Sequence, residues 1–206
     1  MQITLLNYTP LYITSHAMRT CYQSFDKGDN GGEKDRDLIN RIGNIYKHSS
    51  TLEHLNYNFY IKGISRACLQ ELARHRHASL SVKSTRYTLK ELKKQEPFSI
   101  NELNRASEFI VLSENELVNE ANISSLNYLI KILNQEKMTQ DIAKYALPES
   151  YKTELTWSIN ARSLQNFLHL RTAKAALKEI RELAFNIFDA LPEEHKFIYE
   201  PVLNER

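Results

Sequence analysis

SRACLQELARHRHASLSVKSTRY, residues 65–87, is the stretch from which the rest of the chain can be read. It carries Arg66, Arg74, Arg76 and Arg86, His75 and His77, Lys83, and the hydroxyls of Ser79, Ser81, Ser84, Thr85 and Tyr87. Ala67, Cys68, Leu72 and Ala73 fall at helical spacing, so the first half reads as a helix with an apolar face. Arg74, His75 and Arg76 then occupy its last turn, and a less regular serine-rich segment follows. Guanidinium forks pair with two oxygens at once and stay charged at any physiological pH. Such a density of donors fits a pocket for a phosphorylated ligand. The plainer alternative is a helix end whose basic residues are solvated and favoured by the helix dipole.

Working outward, NYNFYIK at 56–62 alternates as a strand, and Gly63 is placed to turn it into the helix. Strand, turn and helix in that order lay the helix across a sheet, leaving its outer face to line a cleft. Upstream lie a strand at 2–8 stopped by Pro10, a brief helix at 12–18 and a loop, DKGDNGGE, at 26–33. An amphipathic helix follows at 34–47, and the polar run HSSTLEH occupies 48–54. Downstream, apolar spacing predicts helices over 101–118, 123–133 and 139–147, the last ending before Pro148. Residues 149–155 read as a connection. In WSINARSLQNFLHLR, 157–171, Ala161, Leu164, Phe167 and Leu168 form one stripe, while Arg162 and Asn166, four apart, share another face. A long helix over 174–191 closes the pattern. The sum is one mixed α/β (α+β) domain over residues 1–206, with few strands and several helices.

Composition narrows the function. Charge is nearly balanced, 27 Lys+Arg against 25 Asp+Glu for a net +2. A basic site must therefore be local, which fits a mononucleotide better than a nucleic-acid track. Cys21 and Cys68 make neither a metal spacing nor a disulfide scaffold, so a reducing cytoplasm is expected. The first residues, MQITLLNYTP, lack the basic start and apolar run expected of a signal peptide, and no stretch approaches the length of a membrane helix. The five glycines form neither a dinucleotide fingerprint nor a P-loop. No Ser–His–acid set, metal-binding helix or carboxylate pair stands out, which points to chemistry supplied by a bound cofactor.

Arg74-His75-Arg76, then seven residues, then Ser84, one residue and Arg86, matches the defining motif of the flavin-dependent thymidylate synthases. His48-Ser-Ser-Thr-Leu-Glu53-His54, Leu147-Pro148 and Asn160-Ala-Arg162-Ser-Leu-Gln-Asn166-Phe-Leu-His-Leu-Arg171 accompany it in the family's order. The chain resembles a compact bacterial branch of that family from about residue 15 to 185. The resemblance implies a central, mostly antiparallel sheet flanked by helices, the thymidylate synthase-complementing protein fold. It also implies a methyltransferase that converts dUMP to dTMP by reductive methylation, with bound FAD, NADPH as reductant and 5,10-methylenetetrahydrofolate as carbon donor. Family members are homotetramers whose active sites are shared between subunits. The balanced charge and the lack of a membrane-length run lead us to expect no nucleic-acid or membrane partner and a cytoplasmic location.

Carried over residue by residue, the resemblance places His48, Ser50, Glu53, Arg74, His75, Arg76, Asn160, Arg162 and Asn166 with FAD. Glu71, Arg74, Ser84, Thr85, Arg86, Lys144 and Arg171 fall with dUMP, and Arg171 is the residue that activates the uracil ring. No metal ligand is implied. Ser84 is read as a nucleotide holder; an activated nucleophile is the other possibility, since His75 or His77 can approach it through folding. Several positions depart from the common pattern. Ser81 stands in place of an asparagine, Glu71 of a glutamine and Lys144 of an arginine, while Ala175 and Leu177 replace a histidine and a glutamine. An acid at Glu71 is expected to turn toward a cation such as Arg74 or Arg86, or to be protonated. Two rival readings remain: a flavin- and uridine-nucleotide-binding protein or related methylase without synthase turnover, and a nucleic-acid-binding module built on residues 65–87.

Overall fold

Strands β1 (Gln2–Tyr8), β2 (Asn56–Ser65), β3 (Ala78–Val82) and β4 (Lys152–Asn160) form one antiparallel sheet in the order β1-β2-β4-β3. The computed structural model describes residues 1–205. The expected sheet with flanking helices is present. Helices in chain order are α1 (Leu11–Thr20), α2 (Glu33–Ile39), α3 (Arg66–Ala73), α4 (Thr85–Thr88), α5 (Lys90–Lys93) and α6 (Leu103–Ala106). They continue with α7 (Glu116–Leu133), α8 (Gln140–Ala143), α9 (Ala161–Arg171) and α10 (Lys178–Asp189).

The chain divides into two units by its internal contacts. The first comprises Met1–Ile61, Glu71–Ser81 and the described residues from Thr156 onward. Its core is aromatic. Along β2 the period-two alternation buries Tyr57, Phe59 and Ile61, and along β4 it buries Trp157 and Ile159. Trp157 meets Phe59 at 6.2 Å and Phe167 of α9 edge-on at 5.1 Å. From α10, Ile180, Leu183, Ala184 and Ile187 are buried on one face. Each buried isoleucine or leucine there contributes roughly 1.5–3 kcal/mol of transfer free energy. After α2 the chain widens into a π-type stretch, Asn40–Ile45. Gly43 lies there against Leu52, where a Cβ would stand 3.0 Å from the leucine side chain. That close approach seats the 3₁₀ turn Ser49–His54, which carries Glu53.

The second unit comprises Lys62–Gln70 and Val82–Leu155. Its separate core gathers Leu89, Leu92, Phe98, Ile110 and Tyr151 around Ile123, Leu126, Leu129, Ile130 and Leu133 of α7. Asn115 caps α7 by accepting from the Val118 N–H. Among the described residues, no helix is long and apolar enough to cross a membrane.

Five local expectations are corrected. Gly63 does not end β2; at φ +80°, a conformation glycine tolerates, it stays within a strand that runs on to Ser65. Helix α3 stops at Ala73, so Arg74 to Arg76 belong to the connection before β3, and the serine-rich segment is a strand. The predicted helix over 101–118 is broken. Ile110 bridges to Tyr151, and Ser113 and Asn115 make side-chain hydrogen bonds that compete with helix and restart it at Glu116. Residues 149–155 are less a connection than the entry to β4, which begins at Lys152. The last helix also starts later than expected, at Lys178, after a turn over 173–177.

Candidate functional site

A cleft of about 1030 Å³ opens in the first unit, at the upper end of the roughly 300–1000 Å³ usual for ligand pockets. One wall is the connection after α3, with Arg74, His75, Arg76 and His77. Another is the start and outer face of α9, with Asn160, Arg162, Ser163, Asn166, Leu170 and Arg171. Glu53 closes one side, and Ala173, Ala175 and Ala176 of the following turn close another. The two polar segments separated by about 80 residues of sequence therefore meet in one place, because α9 buries Ala161, Leu164, Phe167 and Leu168 and turns the opposite face outward.

Asn160 anchors that face. Its Oδ1 accepts from the Ser163 N–H at 2.9 Å as the N-cap of α9. Its amide NH₂ is then the group with which it can serve a ligand. Two residues on, Arg162 Nη1 donates to Glu53 Oε1 at 2.6 Å.

At the far end, Arg171 is held from three directions. Nε donates to His75 Nε2 at 3.0 Å, Nη1 to Glu71 Oε2 at 2.9 Å and Nη2 to the Glu71 carbonyl oxygen at 3.3 Å. Arginine has no acceptor, so His75 Nε2 must be unprotonated and the neutral ring carries its proton on Nδ1. Burial is the main reason the His75 pKa falls to about 4; Arg171 and Arg74 lower it further, against a smaller opposing pull from Glu71. The ring also rests edge-on against Phe167 at 5.0 Å. Glu71 therefore pairs with Arg171, and not with Arg74 or Arg86 as the sequence led us to expect.

The remaining expected residues lie elsewhere. His48 and Ser50 are exposed at the start of the 3₁₀ turn and outside the cleft's lining. Ser84, Thr85, Arg86 and Lys144 belong to the second unit. There Arg86 Nε and Lys144 Nζ share Asp141 Oδ1 at 2.9 and 3.4 Å. Each cation also lies over a neighbouring ring, Arg86 over Tyr87 at 5.9 Å and Lys144 over Tyr145 at 5.7 Å. Ser84 precedes α4 without a side-chain cap bond. Of the cleft residues that the sequence reading did not name, Ser163 and Leu170 share the outer face of α9 with Arg162 and Asn166, and helical spacing points to them. Cys68 is buried, as its place on the apolar face of α3 implies, and Cys21 is exposed.

The family model described as "Thymidylate synthase complementing protein" matches residues 4–195. The chain is 64% identical over 205 residues to the flavin-dependent thymidylate synthase of Campylobacter jejuni, covering 100% of this chain and 99% of that protein. It is 60% identical to the Wolinella succinogenes protein of the same name, covering 97% of each. Among solved structures, that of the Helicobacter pylori flavin-dependent thymidylate synthase complexed with FAD and dUMP superposes with a TM-score of 0.94 at 56% identity. That match covers 99% of this chain and 100% of the other.

Proposed function

The chain belongs to the thymidylate synthase complementing protein family, the flavin-dependent thymidylate synthases, and from that premise we propose that it methylates dUMP to dTMP reductively. The observation that carries the reading is the meeting of residues 74–77 with the outer face of α9 around one large cationic cleft. The donor set there fits FAD. Arg74, Arg76 and Arg162 suit a pyrophosphate, while Asn160, Asn166 and the His75 ring suit a heterocycle and its polar edge. When bound and reduced by NADPH, FAD supplies the hydride that completes the methyl group, and 5,10-methylenetetrahydrofolate supplies the carbon and leaves as tetrahydrofolate.

Arg171 serves the substrate. Uracil C5 becomes nucleophilic as negative charge spreads over N3 and the two carbonyls. A guanidinium already fixed beside that edge stabilises the charge as it develops, with no reorganisation at the moment of reaction. Arg74 contributes to both FAD and dUMP. Ser84, Thr85, Arg86 and Lys144 hold the nucleotide phosphate, Ser84 acting as a holder and not a nucleophile. His48 and Ser50 complete the flavin side.

The whole chain works as one domain, and four copies assemble into a homotetramer with shared sites. Support for assembly comes from large apolar side chains left exposed, among them Ile45, Tyr46, Leu170, Leu177 and Tyr145. The free thiols of Cys21 and Cys68 accord with a reducing cytoplasm.

Purified protein should be yellow and release FAD on denaturation. With NADPH, methylenetetrahydrofolate and dUMP it should form dTMP. Yellow protein that binds dUMP but never yields dTMP would favour a flavin- and nucleotide-binding protein without synthase turnover, and colourless protein with salt-dependent RNA binding would favour a nucleic-acid module.

A further inference from the structure

Glu71 stands where local electrostatics argue against it. It lies in the last turn of α3, near the negative end of the helix dipole, and its side chain is only 27% exposed. A carboxylate there is retained only with a strong partner, and that partner is Arg171, itself 17% exposed. The contact is double. Besides the carboxylate, the Glu71 carbonyl oxygen, which also takes the Arg74 N–H at 3.3 Å where α3 ends, accepts from Nη2.

The opposite end of Arg171 is equally constrained. His75 takes Nε, and the His75 ring is itself fixed by Phe167, which lies one turn earlier on α9. The helix end that delivers Arg171 is pinned as well. Thr172, fully buried, donates its hydroxyl to Leu168 O at 2.7 Å and accepts from the Asn204 N–H at 3.0 Å. A guanidinium has five N–H donors, and three are spent on His75 and Glu71. One N–H remains on each of Nη1 and Nη2, in the same rigid plane, and Arg171 lines the cleft. Such donors can serve the carbonyl oxygens of a uracil ring. A carboxylate, which only accepts, matches it poorly.

We propose that Glu71 is a positioning residue: together with His75 it fixes the plane of the Arg171 guanidinium, so that the two remaining N–H donors meet the carbonyl edge of dUMP. This assigns Glu71 a role through Arg171, in place of a contact with the nucleotide, and it rests on the thymidylate synthase reading of the cleft. The carboxylate acts as a hydrogen-bond acceptor of fixed geometry, so its negative charge is not the essential property.

The test compares Glu71→Ala and Glu71→Gln in the FAD-loaded protein, with kcat and the dUMP KM measured separately. An ångström of misplacement at a reacting centre costs about 100-fold in rate. Glu71→Ala should accordingly lower kcat by about 30- to 100-fold while the dUMP KM moves by less than about threefold. Glu71→Gln, whose amide oxygen still accepts from Nη1, should stay within about threefold of the wild-type kcat. The proposal is overturned if Glu71→Ala keeps the wild-type kcat, if it raises only KM, or if Glu71→Gln is as slow as Glu71→Ala. Should Glu71→Ala not fold, Glu71→Leu keeps the bulk without the acceptor and is held to the same expectations. A wild type that binds FAD and dUMP without forming dTMP would defeat the synthase reading instead. Crystals of the variants then decide the clamp, which stands if Arg171 leaves its place in Glu71→Ala but not in Glu71→Gln, and falls if it is unmoved in both.

Discussion

Arg171 reaches the cleft already tied by three hydrogen bonds, with a side chain 17% exposed, whereas Arg86 is 57% exposed and shares the single carboxylate of Asp141 with Lys144. Both belong to clusters that the sequence marks for the same nucleotide. The first cluster is built on the aromatic core of its unit, through Phe167, His75 and Trp157. The second rests on two four-residue helices at the surface. A fixed, partly desolvated guanidinium suits charge that appears only in the transition state. Exposed cations suit a phosphate that is dianionic throughout, and salt screens them. The contrast separates a residue expected to act on rate from residues expected to act on binding.

The largest expected effect lies in the core beneath the cleft. Phe167→Ala should cost about 3–5 kcal/mol of unfolding free energy, because it empties a fully buried site that supports both Trp157 and His75. Tyr87→Ala, in the exposed cluster and 68% accessible, should change stability by less than about 0.5 kcal/mol. Denaturant titration of the two variants reads the difference directly, and equal losses would erase the distinction between the clusters.

Arg86→Ala should raise the dUMP KM about tenfold and leave kcat within about threefold, as expected for an interaction made equally in ground and transition states. Its effect should also shrink at high ionic strength. A loss confined to kcat would move Arg86 into the same class as Arg171.

The last expected effect is one of pH. His195 is 1% exposed, with Nδ1 2.8 Å from Tyr57 Oη, and burial pushes its pKa down to about 4, helped by Arg36 and opposed by Glu194. The unfolded chain, whose histidine titrates near the usual 6.5, binds more protons between those values. This contribution is therefore complete above about pH 6.5 and is lost as the pH falls toward 4, by at most about 1.4 kcal/mol per pH unit. Unfolding measured from pH 7 to 4 should show a shallower slope for His195→Gln, whereas Lys144→Gln in the exposed cluster should leave the slope unchanged.

Much of this was legible beforehand where periodicity and chemistry coincide. The strands at Gln2–Tyr8 and Asn56–Ser65 alternate clearly, and α9 shows its apolar stripe and its polar face together. Strand β4 was legible in principle. Thr153, Leu155, Trp157 and Ile159 are its buried positions. The helical period of α9, which starts at Ala161, drew Trp157 into the wrong element. The break before α7 depends on Ser113 and Asn115 preferring side-chain caps to helix, a competition that apolar spacing does not register. In the cleft, residue types pointed to Arg74, His75, Arg76 and Arg171. The pairing of Glu71 with Arg171 did not show, because it joins residues 100 positions apart through the packing of two helix ends.

The most direct test follows release of the C5 hydrogen from tritium-labelled dUMP in wild type and Arg171→Ala, with and without reduced flavin. The wild type should release tritium only when the flavin is reduced. Arg171→Ala should do so about 100-fold more slowly or worse while still binding dUMP. Release at the wild-type rate from Arg171→Ala would contradict the role given to this guanidinium and, with it, the division between the two clusters.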